Sequence, residues 1–166
     1  MESVLATLTV LCALPVGLVG LLFAHELGHA VPVLATGGRA HITIGRDDGR
    51  TVHVGRLSIT AGVDGLRRFF TYGRIDWAGV DSTAVRAASI AGGPIVSLTA
   101  IGVLGSLLLS GVGGLLFWVL AQLLVSESLR VSQTIVPKTY SRGPYRGIDS
   151  DGKRLCRLLR SKPDER

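Results

Sequence analysis

Two stretches of this 166-residue chain carry no charged side chain, Ser3 to Ala24 and Ala87 to Ser126. That distribution limits the fold more than any other feature. A membrane-crossing helix needs roughly 20 consecutive apolar residues. The first run is long enough for one such helix. The second is longer and is broken by Ser110-Gly111-Val112-Gly113-Gly114, a turn-forming stretch, so two helices with a tight connection are expected. The expected fold class is therefore membrane α-helical, with three transmembrane helices near 4–35, 84–110 and 113–134. A cleaved leader is disfavoured, because the one early charge is acidic Glu2 and a signal peptide opens with basic residues.

The lysines and arginines then give a direction. Of 18, seven lie from Arg39 to Arg74, one is Arg86, and ten lie from Arg130 to Arg166. None precedes the first apolar run and none falls in the Gly111–Gly114 connection. Basic flanks stay cytoplasmic. The expectation is a multi-pass protein of the cell membrane with its N-terminus outside, and its middle segment and tail (135–166) in the cytosol. A net charge of +6 raises nucleic acid as a partner, but no recognition motif accompanies it. A basic flank against a lipid bilayer accounts for the charge. Cys12 and Cys156 fall in different expected environments and lack metal-site spacing, so they read as unpaired thiols.

Between the first two helices lies a polar stretch in which alternation replaces the apolar run. His41-Ile42-Thr43-Ile44, a turn at Asp47-Asp48-Gly49, and Thr51-Val52-His53-Val54 read as a β-hairpin. Leu57 to Ala61 is a candidate third strand, and Asp64-Gly65 marks another turn. A small cytosolic β-hairpin insert is thus expected over about 40–76, within a single domain spanning 1–166. Phe69, Phe70, Tyr72 and Trp77 among Arg67, Arg68 and Arg74 suit a membrane interface, while Trp118 reads as a packing residue. A short basic helix is expected from about Lys153 to Leu159.

The first apolar run ends in LLFAHELGHAVPV, Leu21 to Val33. His25-Glu26-Leu27-Gly28-His29 is an H-E-x-x-H pattern on a helix, where residues four apart share a face. His25 and His29 can offer two imidazole nitrogens to one ion, and zinc suits such ligands. Glu26 sits where it can take a proton from a water that the metal has made acidic. The bland alternative is a polar helix end reaching the interface, but Lys or Arg more usually do that. Ionisable groups inside a span mark function by default, since each is unfavourable by roughly 2.5–3.5 kcal/mol or more. Two histidines leave zinc short of a third protein ligand. His41, His53, the aspartates of the middle segment, Glu127, Asp149 and Asp151 are the candidates, and spacing does not choose among them. An Asp-Gly pair such as Asp48-Gly49, Asp64-Gly65 or Asp151-Gly152 need mean no more than a turn.

FAHELGHA in an N-terminal helix, with SDGKRL after a later one, resembles the site-2 protease family of intramembrane zinc metalloproteases. The resemblance implies zinc held by His25, His29 and Asp151, with Glu26 as general base. It implies an endopeptidase that hydrolyses peptide bonds in membrane-embedded segments of other proteins, so a transmembrane protein substrate. IAGGPIVSL is similar to the small-residue stretch of that family's central helix, where Gly92 and Gly93 would allow close packing. The chain departs from the family at Thr134-Ile135-Val136-Pro137, where the family favours N-L-x-P. It departs again in the 13 residues between Pro137 and Asp151, a longer and more basic segment that keeps Asp149 in competition for the third ligand. The Thr51–Ala61 region is a candidate edge for strand addition by an extended substrate. The rival readings are a non-proteolytic pseudoenzyme of the same fold and a structural or assembly membrane protein without metal.

Overall fold

The computed structural model describes residues 2–45, 48–62 and 72–161. Helix α1 spans Glu2–Ala35, α2 Thr83–Leu109, α3 Gly114–Ile135 and α4 Asp151–Arg160. Three of them contain segments long and apolar enough to cross a membrane: Cys12–Ala35, Thr83–Leu109 and Gly114–Ile135. Their outward faces carry large apolar side chains such as Val16, Val103 and Leu129. Water is a poor solvent for such a surface and hydrocarbon a good one. Trp118 belongs to this face: it is 69 % exposed, its ring edge-on to neighbouring Phe117, so it is not the packing residue expected.

Local features mark several of these helix ends. Gly37, at φ +87°, turns the chain out of α1 while the Gly38 N–H returns to the Val33 carbonyl (2.9 Å). Ser82 caps α2, its hydroxyl accepting from the Val85 N–H. Gly111, at φ +84°, lies in the short connection to α3. Inside the bundle, Leu104, Val119 and Leu123 form a small apolar core with Leu14, Leu18 and Leu21 of α1.

Helices α1 and α2 approach closely because glycine faces glycine. A Cβ on Gly28 would strike the Gly92 carbonyl, and one on Gly92 would strike the Gly28 carbonyl. Gly93 leaves room for the His29 ring in the same way. Small residues at a helix contact let backbones come together.

Four strands fill the connection between α1 and α2: β1 (Arg39–Ile44), β2 (Arg50–Val54), β3 (Leu57–Ala61) and β4 (Gly73–Ala78). Their order is β2-β3-β1-β4. The expected hairpin between 41–44 and 51–54 is therefore corrected. Both strands form, but β2 turns tightly at Gly55-Arg56 to pair antiparallel with β3, and β3 lies parallel to β1. Burial explains the change. Ile42 and Ile44 pack with Leu22, Ala30 and Ile75 in the second core, so β1 must be central, whereas β2 is exposed along its whole length. Sheet and α1 thus share a core, which sets β4 against the C-terminal part of that helix. Asp47, Asp64-Gly65, Arg67, Arg68, Phe69 and Phe70 lie outside the described residues.

Candidate metal centre

His25 and His29, one turn apart on α1, point their Nε2 atoms at the same place, 3.2 Å from each other. Asp151 Oδ2 lies 3.6 Å from the first and 3.5 Å from the second. These donor atoms all fall within 4.8 Å of one another, the one such group of three among the described residues. Both histidines are buried, and Asp151 is nearly so.

The other ring nitrogens are tied to α2. His29 Nδ1 donates to the Ser89 carbonyl oxygen (2.7 Å), and the Ser89 hydroxyl donates back to the His29 carbonyl (2.7 Å). His25 Nδ1 is 2.8 Å from the Ser97 hydroxyl. A carbonyl only accepts, so His29 carries a proton on Nδ1, and its Nε2 is the atom that faces the cluster. The Ser97 hydroxyl permits the same tautomer in His25. Such contacts orient metal-ligating histidines. Three lone-pair atoms gathered this closely repel one another unless a cation or proton lies among them. Two imidazole nitrogens and one carboxylate oxygen form a donor set for a divalent cation with a further position open.

Asp151 arrives from the far end of the chain through three local devices. It is the first residue of α4, whose N-cap Ser150 accepts from the Lys153 N–H and also donates to the Val136 carbonyl (2.8 Å). Gly152 lies directly on the Ile135 carbonyl, where any Cβ would overlap it. Arg154 stands 3.6 Å from the second carboxylate oxygen and covers the Trp77 ring. Asp151-Gly152 is therefore a helix start rather than a turn. Burial pushes the Asp151 carboxyl up, but the His25 and His29 rings beside it outweigh that, and the group sits well below the ordinary carboxylate range.

Four of the competing positions are engaged elsewhere. Asp149 is held by Arg157 (2.6 Å), Lys153 (3.0 Å) and Thr139 (2.6 Å), and bonds from Thr139 and Lys153 lower its carboxyl. Glu127 is buried on α3 and paired with Arg130. His41 bonds Thr60 (3.1 Å), and exposed His53 bonds Ser58 (2.8 Å).

Glu26 is buried in the wall of a cavity of about 740 Å³ between α1, α3 and β4, which His25, His29 and Asp151 also line. Its carboxylate packs on Gly73, where an added Cβ would stand 2.6 Å from Oε1. The strand edge beside the centre is thus β4, and the Thr51–Thr60 pairing of β2 with β3 lies across the sheet. Ser89, Ser97, Gly73 and Tyr145 are site residues that sequence reasoning passed over. Two of them carry a readable signal: Ser89 and Ser97 flank the Gly92-Gly93 stretch and are hydroxyls inside an apolar run. No family model, curated protein or solved structure matches this chain, so the interpretation of the centre rests on its own chemistry.

Proposed function

We propose that this chain is a zinc-dependent intramembrane endopeptidase. The observation that supports it most is the meeting of His25, His29 and Asp151 beside Glu26 at one end of three apolar helices. His25, His29 and Asp151 would hold the ion, as the resemblance to the site-2 protease family implies. When bound, zinc supplies a Lewis acid and makes a coordinated water easier to deprotonate.

The chain's own groups do the rest. Glu26, held against Gly73, takes a proton from the attacking water and passes it to the leaving amine nitrogen as the peptide C–N bond breaks. Ser97 and the Ser89 carbonyl keep the two imidazoles in the required tautomer. The substrate is a membrane-embedded segment of another protein, and it has to unwind locally because a helix hides its backbone. The outward residues of β4 offer hydrogen bonds to an extended stretch of that kind. The positive flanks set the orientation: N-terminus outside, with sheet and tail at the cytosolic face of the cell membrane.

Zinc content of detergent-purified protein, beside Asp151→Ala, tests the centre. Near one zinc per chain, largely lost in the variant, is the expected result. Glu26→Gln should keep the zinc and lose cleavage by more than about 100-fold. Cleavage that survives that change overturns the mechanism. Zinc without any cleavage favours the pseudoenzyme, and no zinc even after supplementation favours a structural role.

A further inference from the structure

The segment joining α3 to α4 is pinned at its base and differently made at its tip. At the base, Ser150 N–H donates to the Lys138 carbonyl (2.9 Å), Lys138 N–H donates to the Ser150 hydroxyl (3.0 Å), and Thr139 bridges Asp149. Arg157 and Lys153 hold Asp149 from α4. At the tip, Gly143 and Gly147 take φ +76° and +84° on either side of Pro144-Tyr145-Arg146. From there the Tyr145 ring returns to the sheet, stacking on Tyr72 with ring centroids 5.0 Å apart.

Its hydroxyl makes both of its bonds to one residue. The Gly73 N–H donates to it (2.8 Å), and it donates to the Gly73 carbonyl (3.0 Å). The register shows what that position is. The Gly45 N–H donates to the Tyr72 carbonyl (2.9 Å), so the backbone groups of Tyr72, Arg74 and Asp76 face β1. Those of Gly73, Ile75 and Trp77 face outward, and no hydrogen bond to the outward groups of Ile75 or Trp77 occurs among the described residues. In an antiparallel ladder, one residue of the neighbouring strand exchanges an N–H and a C=O with its opposite number. The Tyr145 hydroxyl makes that same exchange with Gly73, the β4 residue that touches Glu26.

We infer that the tip around Tyr145 is a latch, closed in this structure, that occupies the backbone position beside Glu26 and has to be displaced by an extended peptide. This rests on the endopeptidase reading and adds its regulation. Opening requires only the tip to move, because the base and Asp151 are fixed by Ser150, Asp149 and α4. Access and metal ligation are thereby separated within one short segment.

The test compares wild type with Tyr145→Phe, which keeps the ring and removes both bonds, and with Tyr145→Ala. Hydrogen exchange is measured on the same samples as zinc content, zinc loss to excess EDTA, and cleavage of a fluorophore–quencher transmembrane peptide in micelles. In Tyr145→Phe the Gly73 amide and the 141–147 tip should exchange about 10-fold faster, with α2 and α4 unchanged. Zinc content should stay the same, its loss to EDTA should quicken, and kcat/KM should rise several-fold through a lower KM, more so in Tyr145→Ala. Full zinc with cleavage unchanged or reduced overturns the latch, because Tyr145 then merely supports the site. Absence of zinc and cleavage in all three proteins overturns the endopeptidase reading itself, and the latch with it.

Discussion

The two halves of the centre are built by opposite means. His25 and His29 are four residues apart on one helix, so their convergence is a property of helical geometry. Asp151 lies 122 positions beyond His29 and reaches them only through packing at the junction of α3 and α4. The first half needs a rigid neighbour, α2, to orient its rings. The second needs a precise helix start. One half should accordingly fail together with the bundle, and the other should fail alone.

The largest effect is expected at the contact between α1 and α2. Gly92→Val puts a branched side chain where the Gly28 carbonyl now lies. Backbone cannot yield as a side chain does, so the helices must separate. Overpacking of this kind destabilises by about 1–3 kcal/mol or more. Thermal unfolding in detergent should show a lowered Tm together with loss of zinc. A Tm unchanged from wild type would mean that the close approach of α1 and α2 does not hold the first half together.

The other half should break without the fold. Gly152→Ala places a methyl group against the Ile135 carbonyl and pushes the start of α4 away from α3. Neither Gly152 nor Ile135 belongs to the cores around Leu123 and Ile42. Zinc affinity is expected to drop by roughly 10–100-fold, the range found when groups that orient a ligand are disturbed. Tm of the metal-free protein should move little. Competition with a fluorescent zinc chelator reads the first quantity and thermal unfolding of the stripped protein the second. Equal losses in both would erase the distinction between the halves.

The same division explains what could be read from sequence. Uncharged run lengths place the three long helices within a few residues of where they lie, because the length needed to span hydrocarbon is a strong constraint. H-E-x-x-H is equally local. The sheet was legible only as strands: alternation reveals β1, β2 and β3, but their order depends on which isoleucines α1 can bury. Gly55-Arg56 outcompetes the longer Gly45–Gly49 connection as the hairpin turn, and a sequence scan for Asp-Gly does not see it. Nor did spacing distinguish Asp151 from Asp149. That choice is made by Ser150, whose hydroxyl caps α4 and ties it to Val136, and by Arg157 and Lys153, which draw Asp149 away. Tyr145 was invisible for the same reason, since its partner is 72 residues distant.

The finest test of the α1 half separates its two orienting serines. Ser97 meets His25 through its side chain, while Ser89 meets His29 through its backbone carbonyl. Ser97→Ala removes the partner of His25 Nδ1 outright and should weaken zinc by about 10-fold, the low end for an outer contact. Ser89→Ala keeps the carbonyl and loses only the hydroxyl bond to the His29 backbone, so zinc affinity should change less than that. What it should change is stability, by about 1 kcal/mol for one hydrogen bond between helices. Chelator competition and thermal unfolding on both variants give the four numbers. If Ser89→Ala weakens zinc as much as Ser97→Ala, orientation of the rings is a property of the whole α1–α2 contact rather than of individual partners, and even the locally encoded half of the centre depends on packing.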